Sequence, residues 1–394
     1  MPDLKSHFLL DPDIHFLNHG SFGSCPAEVF DAYHRWQAEV ERQPVALLGR
    51  RAYELLAESR AALAAYLGVA ADDVIYFPNP TTAINMAARN LARADSPVRL
   101  RPGDEILTTD HEYGAMDRTW RYVCRHTGAT YVQQPIPLPV TTHADFVERF
   151  WAGVTGRTRI IFLSHVTSPT ALTFPVAEIC RRARAAGLLT IVDGAHAPGQ
   201  IPLNLAELGA DLYTGACHKW LCAPKGAAFL YARRDLHAWL EPLVISWGWE
   251  SGVPADAQFV TWHQWQGTRD IAVYLAVPAA IAFQAKHRWD AVRAACRALA
   301  SATRQRVNAL AGQSPICPDR PEWFTQFFAA RLPDRTDLAA LKRRLYDEYR
   351  VEAPTVCWNE QPFIRVSFQA YNDQADADAL MEGLAALLPQ VVAS

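Results

Sequence analysis

The sequence lacks a long hydrophobic segment, and it lacks the marks of a secretory leader. No run among its 394 residues approaches the roughly 20 uninterrupted apolar residues that cross a bilayer. The N-terminal stretch MPDLKSHFLLDPDIHFLNHG has neither a basic region nor an apolar core of the signal-peptide type. These absences predict a cytoplasmic protein with no membrane partner.

Paired cysteines, metal-binding motifs and an excess of charge are also missing. The eight cysteines are scattered without a CxxC pair, which argues against a disulfide framework or a zinc site and fits a reducing cytoplasm. The thirteen histidines include no HExxH motif, so no metal site is expected. A formal net charge of -3 gives no bulk electrostatic reason to bind nucleic acid.

Apolar residues are plentiful, at 50% of the chain, and they occur in short runs that alternate with helical patterns. Runs such as IIFLS, LLTIVD and AAFLYA are continuously apolar, which is typical of strands covered on both faces. The pattern predicts an α/β domain with a doubly wound sheet. The seven predicted strands cover 74–77, 105–109, 130–133, 159–164, 188–193, 211–214 and 227–231, with helices over 81–94, 116–126 and 176–186.

The sequence pattern changes after about residue 270. Two long Ala/Arg-rich stretches, 271–287 and 289–310, predict helices. A smaller αβ pattern follows, with predicted strands over 324–332 and 363–368 and helices over 338–349 and 376–388. We therefore predict an N-terminal arm (1–20), a large domain (21–284) and a small C-terminal domain (285–394).

Two residues of this pattern could carry chemistry. Asp193 ends an apolar strand, and Lys219 lies between His218 and Trp220 after the next strand. Asp193 could instead cap the following helix, since Asp is a favoured N-cap residue. A lysine flanked by histidine and tryptophan in a loop after a strand is not an obvious solvated lysine. Desolvation would lower its pKa and make the amine a nucleophile for a carbonyl.

Together, these two residues are the pair that pyridoxal phosphate requires: a lysine for the Schiff base, and a carboxylate that pairs with the pyridinium nitrogen. At this point the sequence resembles the class V branch of fold-type I pyridoxal-phosphate enzymes over nearly its whole length. The resemblance implies an α/β large domain with a mostly parallel seven-stranded sheet and a small αβ C-terminal domain. It rests on eight segments in the family's order: LNHGSFG (17–23), NPTTAIN (79–85), DHEYGAM (110–116), SHVTSPT (164–170), VDGAHAPG (192–199), CHKWL (217–221), QGTRD (266–270) and IRVSFQAYN (364–372).

The phosphate of the cofactor is expected at a strand-to-helix junction. Thr81 and Thr82 follow Asn79-Pro80, so their N–H groups and hydroxyls would meet a phosphate at the positive end of a helix. A plain threonine helix cap is the alternative. The resemblance implies His218 as a second phosphate neighbour and Thr268 as a ligand from another subunit, hence a homodimer with shared active sites.

The cofactor ring has two further expected neighbours. Tyr113 lies in the segment where relatives of the cysteine-desulfurase type carry a ring-stacking histidine, and an aromatic face can lie on the pyridine ring. The resemblance implies a catalytic role for Tyr113. His196 matches a position often held by a glutamine that contacts the ring hydroxyl; the alternative is a hydrogen-bonded core histidine.

Substrate binding is expected at Arg365, which stands alone in the apolar strand IRVSF and needs an anionic partner there. The resemblance implies that it clamps the substrate α-carboxylate in a bidentate pair, with Ser21 and Ser168 in the same substrate site. A structural salt bridge is the alternative. Cys357 lies only eight residues before Arg365 in a short loop. That spacing departs from the nucleophilic cysteine of the desulfurases and predicts an incidental thiol.

The reaction class follows from these residues, but the outcome of the reaction does not. Lys219 is expected to deprotonate Cα of an α-amino acid while Asp193 keeps the cofactor cationic. Epimerisation, transamination and C–S cleavage all use this set. The segments DHEYGA, LNHGSFG, VDGAHAPGQ and CHKW are most similar to the isopenicillin N epimerase-like subgroup, which also contains C–S lyases of ergothioneine biosynthesis. We predict an epimerase-like enzyme, with a C–S lyase or an aminotransferase as alternatives. The non-enzyme alternative is a cofactor-bound regulatory domain, against which the complete Lys/Asp/Arg set argues.

Overall fold

The computed structural model describes residues 4–392. The first three residues of the predicted arm and the last two of the predicted C-terminal domain lie outside the described residues. The strands, in chain order, are β1 His15–Phe16, β2 Val74–Phe77, β3 Glu105–Thr109, β4 Thr130–Gln134, β5 Thr158–Ser164, β6 Leu189–Asp193, β7 Leu212–Ala216, β8 Ala228–Ala232, β9 Phe327–Arg331, β10 Val351–Glu352, β11 Thr355–Trp358 and β12 Gln361–Ser367.

Fourteen α-helices are found within residues 4–392. They are α1 His19–Phe22, α2 Ala27–Arg42, α3 Ala52–Leu67, α4 Pro80–Ala92, α5 Gly114–Thr127, α6 His143–Trp151, α7 Val176–Ala185, α8 Leu205–Leu208, α9 Ala255–Gln264, α10 Ala272–Leu275, α11 Val277–Lys286, α12 Trp289–Ala311, α13 Leu338–Tyr349 and α14 Gln374–Val391. Within residues 4–392, none combines the length and apolar character that crossing a bilayer requires.

Seven strands form the central sheet in the order β2-β8-β7-β6-β5-β3-β4. The five strands from β7 to β4 pair in parallel, whereas β8 is antiparallel to both of its neighbours. The mostly parallel seven-stranded sheet expected from the sequence is thus confirmed. Its register places Ser164 at the end of β5 opposite Asp193 at the end of β6.

The central strands have continuously apolar sequences because helices cover both faces of the sheet. In β5, Ile161 belongs to one buried cluster, with residues of α3, α7 and α12, and Phe162 belongs to a second, with residues of α4, α5 and α9. Neighbouring side chains of a strand point to opposite faces, so both must be apolar. The covered faces leave the carboxyl edge of the sheet as the place for a ligand.

The C-terminal part is an antiparallel sheet of order β11-β12-β9 packed with α12, α13 and α14. Strand β1 pairs in parallel with β10, which ties the N-terminal segment to this part. The prediction of one helix over 271–287 is wrong: α10 ends and α11 begins around Ala276, with Pro278 in the first turn of α11. The boundary at 284/285 stays a prediction, and α1 crosses the one at 20/21.

Candidate active site

A cavity of about 260 Å³ opens at the carboxyl ends of β5 and β6. Its wall includes both Ser164 and Asp193, the last residues of those strands. Eight of the residues singled out from the sequence line this one cavity: Ser21, Thr81, Tyr113, Ser168, Asp193, His196, His218 and Lys219. The fold therefore brings together segments that lie up to 198 residues apart.

Lys219 lies in the loop that follows β7, and its amine faces the cavity. Burial lowers the pKa of Lys219 to about 8, because the ammonium form loses its hydration; attraction to Asp193 opposes this effect and repulsion from Arg365 adds to it. A larger fraction of this amine is therefore unprotonated at neutral pH than for a solvated lysine. This is the protonation state that attacks a carbonyl.

Asp193 is 4% exposed, and its Oδ1 accepts a hydrogen bond from the backbone N–H of Ala195 at 2.9 Å. Burial raises the pKa of this carboxyl group above its usual value. The alternative that Asp193 caps the next helix is wrong, because the next helix begins only at Leu205. A buried carboxylate beside a cavity instead fits a cationic ligand atom such as a protonated pyridine nitrogen.

His196 lies between the lysine and an indole ring. Its Nε2 is 3.2 Å from Nζ of Lys219, and its Nδ1 accepts a hydrogen bond from Nε1 of Trp220 at 3.3 Å. Burial holds the pKa of His196 well below its usual value. The imidazole stacks on the ring of Phe327 with centroids 5.2 Å apart. His196 is thus hydrogen-bonded, as the core alternative required, and it also lines the cavity.

The N-terminus of α4 forms another wall of the cavity. Asn79 is its N-cap, since Oδ1 accepts from both the N–H and the hydroxyl of Thr82, at 2.8 and 3.0 Å. The threonine-cap alternative is therefore wrong. Thr81 lines the cavity, whereas Thr82 lines an adjoining recess with Asn85 and Arg89. The first turn presents the positive end of a helix to a phosphate.

The other two expected phosphate neighbours differ in position. His218 lines the cavity and donates from Nδ1 to the carbonyl oxygen of Ala227 at 2.9 Å, which fixes its ring. Thr268 lies in the segment between α9 and α10 and is not among the residues that line the cavity of its own chain. Its contact with a phosphate of another subunit stays a prediction.

Arg365 is 8% exposed and lies on β12 behind the cavity wall. Its Nη1 donates to the carbonyl oxygen and the hydroxyl of Ser168 at 2.7 and 3.0 Å, and its Nη2 donates to Oγ of Ser21 at 3.1 Å. Burial lowers the pKa of this guanidinium to about 10, and its Nε is buried without a partner among the described residues. No carboxylate of residues 4–392 forms an ion pair with it, so the structural salt bridge is not found there.

The sequence did not predict the contacts of His19 and Gly23 with the loop of Lys219. His19 donates from Nε2 to the backbone carbonyl of Lys219 at 3.0 Å, and its Nδ1 accepts from the hydroxyl of Tyr371 at 3.0 Å. Gly23 has φ 71°, and a Cβ there would lie 2.0 Å from the carbonyl oxygen of His218. The segments LNHGSFG and IRVSFQAYN contain these residues, but the sequence offered no local signal for a contact across 352 positions.

Cys357 is exposed and belongs to β11, where it pairs with Pro362 of β12 in a β-hairpin. The hairpin is held at its end, since Nε1 of Trp358 donates to the carbonyl oxygen of Asp110 at 2.8 Å. The prediction that Cys357 lies in a short loop is therefore wrong, because the residue belongs to a paired strand. Its incidental role stays a prediction.

These residues fit pyridoxal 5'-phosphate. A buried amine, a buried carboxylate and the positive end of a helix share one cavity, as a carbonyl, a pyridine nitrogen and a phosphate require. Lys219 would hold the cofactor covalently, Asp193 would pair with the ring nitrogen, and Thr81 with His218 would meet the phosphate. The fold and the site therefore define a pyridoxal-phosphate enzyme of fold-type I.

Comparison with known proteins gives the family. Residues 25–380 match the family described as aminotransferase class-V, and the chain belongs to this family. It is 37% identical to an isopenicillin N epimerase of Amycolatopsis lactamdurans over 385 residues (95% of each chain) and 35% identical to that of Streptomyces clavuligerus over 395 residues (98% of each). A probable chloroplastic L-cysteine desulfhydrase of Arabidopsis thaliana is 26% identical over 407 residues (96% of this chain, 84% of the relative).

A solved structure supports the fold. A mutant of C-DES with glycine covalently linked to the pyridoxal-phosphate cofactor superimposes with a TM-score of 0.82 at 21% identity, covering 98% of this chain and 99% of that one. The predicted fold class, the class V family and the cofactor are confirmed.

Proposed function

We propose that this enzyme epimerises the Cα centre of an α-amino acid group in a substrate of the isopenicillin N type. One observation carries the proposal for the site: a buried amine and a buried carboxylate line one cavity, and a buried guanidinium without an acidic partner among the described residues lies behind its wall, bonded to Ser21 and Ser168. The choice of epimerisation is supported by the likeness to two isopenicillin N epimerases over at least 95% of both chains.

In this proposal each side chain has one task. Arg365 binds the substrate carboxylate through its planar fork, and Ser21 and Ser168 hold the guanidinium in place. Lys219 takes the proton from Cα, for which its lowered pKa suits it, and a proton that returns from solvent to the opposite face of Cα completes the inversion. Asp193 stabilises positive charge on the ring nitrogen of the cofactor. Bound pyridoxal phosphate supplies the sink for the electron pair that is left at Cα.

The experiment is an incubation with isopenicillin N in deuterated water. The epimerase proposal expects the other diastereomer to form and deuterium to appear at Cα, both followed by chiral chromatography with mass spectrometry. Sulfide and a keto acid released from cysteine, without any epimer, would replace it with the C–S lyase function suggested by the name of the plant relative. A keto acid that appears only when a second keto acid accepts the amino group would indicate an aminotransferase.

We also propose that the enzyme is a homodimer in which Thr268 reaches the phosphate of the partner's cofactor. Support comes from the mostly apolar segment 243–247, in which the side chains of Ile245 and Trp247 are 58% and 86% exposed. Leu243, in the same segment, lines the recess beside Thr82. A second copy would bury these side chains next to the phosphate end of the site. The proposed compartment is the cytoplasm, which the eight free cysteines support.

A further inference from the structure

The hydrogen bonds of His196 determine which of its ring nitrogens carries the proton. An indole N–H donates and cannot accept, so Nδ1 of His196 must accept the bond from Trp220. A neutral imidazole has one N–H, and in this ring it is therefore on Nε2. Burial keeps His196 neutral, because its pKa is held well below the usual value. The Nε2–H group faces Nζ of Lys219 at 3.2 Å.

That direction matters for Lys219. An ammonium group has three donors and no acceptor, so it cannot bond to an N–H that faces it. A free amine has a lone pair, and it can accept the bond from Nε2. The Nε2–H form of His196 thus favours the uncharged state of Lys219, whereas the Nδ1–H form would accept from the ammonium and favour the charged state.

Trp220 is itself rigidly held. Its side chain is fully buried, and its carbonyl oxygen accepts from Nε2 of Gln284 at 2.8 Å. A Cβ at Gly199 would lie 2.1 Å from that same oxygen, so the loop after His196 packs directly on the backbone of Trp220. Stacking on Phe327 fixes the plane of the imidazole. A half-turn about Cβ–Cγ would keep this plane but lose the contacts of Nδ1 with Trp220 and of Nε2 with Lys219, so these contacts select the observed orientation.

We propose that Trp220 is a positioning residue that fixes the Nε2–H form of His196 and so keeps a hydrogen-bond donor pointing at the amine of Lys219. The inference rests on the proposed role of Lys219 as the reactive amine. When the cofactor is bound, the Nε2–H group of His196 can donate to any oxygen or nitrogen acceptor that takes the place of the free amine.

Other groups also act on Lys219 and must be held constant. Asp193 favours its ammonium form, and Arg365 opposes it. His19 contacts its carbonyl oxygen, and His218 precedes it in the chain; burial lowers the pKa of His19 to about 3 and of His218 to about 4, so both stay neutral at pH 7. Trp220 also packs on the ring of His19, with centroids 4.9 Å apart, so the ¹⁵N resonances of His19 must stay unchanged in a Trp220 variant before its effect is assigned to His196.

The direct test is ¹⁵N NMR of the full-length chain carrying ¹⁵N-labelled histidine. The two resonances of His196 are identified by their loss in His196→Gln. We expect a protonated Nε2 and an unprotonated Nδ1 from pH 6 to 9, with cofactor absent and present. A protonated Nδ1, or a mixture of the two forms, would overturn the proposal. This readout needs no activity, so it stands apart from the test of epimerisation.

The second test compares Trp220→Phe with Trp289→Phe. Trp289 is also buried and donates from Nε1 to the carbonyl oxygen of Gly199 at 3.0 Å, so its variant loses a buried indole hydrogen bond in the same loop without touching His196. Reductive methylation of Lys219 in the cofactor-free chain, followed by peptide mass spectrometry, measures the free amine.

We expect methylation at pH 7 to slow about 3- to 10-fold in Trp220→Phe, as the loss of one hydrogen bond implies. The rate in Trp289→Phe should stay that of the native chain. Equal rates in all three proteins, or equal slowing in both variants, would overturn the proposal. If Trp220→Phe does not fold, the NMR measurement on the native chain decides alone.

Discussion

His19 and Lys219 are joined by a hydrogen bond from Nε2 of the imidazole to the backbone carbonyl of the lysine, 3.0 Å long. The two residues are 200 positions apart in the chain. Their hydrogen bond holds the N-terminal segment against the loop of Lys219. Gly23 lies at the end of the same segment, and its missing side chain allows the backbone to approach the loop of Lys219. The position of the reactive amine thus depends on His19 and Gly23, which do not line the cavity.

Replacing Gly23 with alanine tests this dependence. The new Cβ would lie 2.8 Å from Cα of Lys219 at a φ of 71°, so both strain and a clash are expected. The free energy of unfolding should fall by more than ~1 kcal/mol, and the cofactor should dissociate faster. Gly252→Ala is the control, because Gly252 has a φ of 73° with no atom near a new Cβ. Denaturant titration and cofactor release measure both effects; equal losses in the two variants would contradict the close approach at Gly23.

The pH dependence of cofactor capture follows from Lys219. Its pKa is lowered by burial to about 8, below the ordinary lysine value, so the reactive free amine accumulates as pH rises through 8. In the cofactor-free chain, the rate of covalent capture of pyridoxal phosphate should increase from pH 6, reach half of its maximum near pH 8 and level off about one pH unit higher. Borohydride reduction and peptide mapping should place the label on Lys219. A midpoint near that of solvated lysines, or a label on another lysine, would contradict this assignment.

Asp193→Asn should retain the cofactor and lose turnover. A neutral amide no longer stabilises a protonated ring nitrogen, and a hydrogen bond to a charged group contributes about 1.5–3 kcal/mol, so the rate per bound cofactor should fall at least about 10-fold. Asp211→Asn is the control, since Asp211 is also buried but precedes β7, away from the cavity, and forms an ion pair with Arg233. Its loss should lower stability and leave the rate per bound cofactor intact. A near-native rate in Asp193→Asn would mean that another acid faces the ring.

Cys357→Ser should leave activity within about 2-fold of the native enzyme, because surface substitutions away from a site change little. The thiol is exposed and belongs to a paired strand. Sulfide release from cysteine is the measurement. Release by the native enzyme that disappears in the serine variant would give Cys357 the role of a desulfurase nucleophile.

The sequence predicted the parts of this site that carry a local pattern. The strand that ends at Asp193 was predictable because Leu189, Ile191 and Val192 place apolar side chains on both faces of the sheet. The short β11 was missed, since Thr355 and Val356 are half-buried and give no continuous apolar run. The contact of Trp220 with His196 could not be predicted, because it depends on two loops whose packing is fixed only in the folded chain.

The last prediction concerns Arg365. Its guanidinium is buried, with hydrogen bonds to Ser168 and Ser21 and no acidic partner among the described residues, so a bound carboxylate would supply the missing anion. Lysine in its place keeps a charge but loses the planar fork. The dissociation constant for an amino-acid substrate should therefore rise by roughly 10- to 100-fold, as the loss of a hydrogen bond to a charged group implies. Cofactor binding should change little.

Two ligands make this test specific. Titration with an amino acid and with its carboxyl-free amine, followed by the absorption of the bound cofactor, should show a strong preference for the acid in the native enzyme. Arg365→Lys should lose most of that preference. Arg331→Lys is the matched control, because Arg331 lies on the neighbouring strand β9 and pairs with Asp334 at 2.8 Å, so its variant should discriminate as the native enzyme does. Equal discrimination by Arg365→Lys would place the carboxylate site elsewhere, since a charge without the fork cannot reproduce bidentate binding.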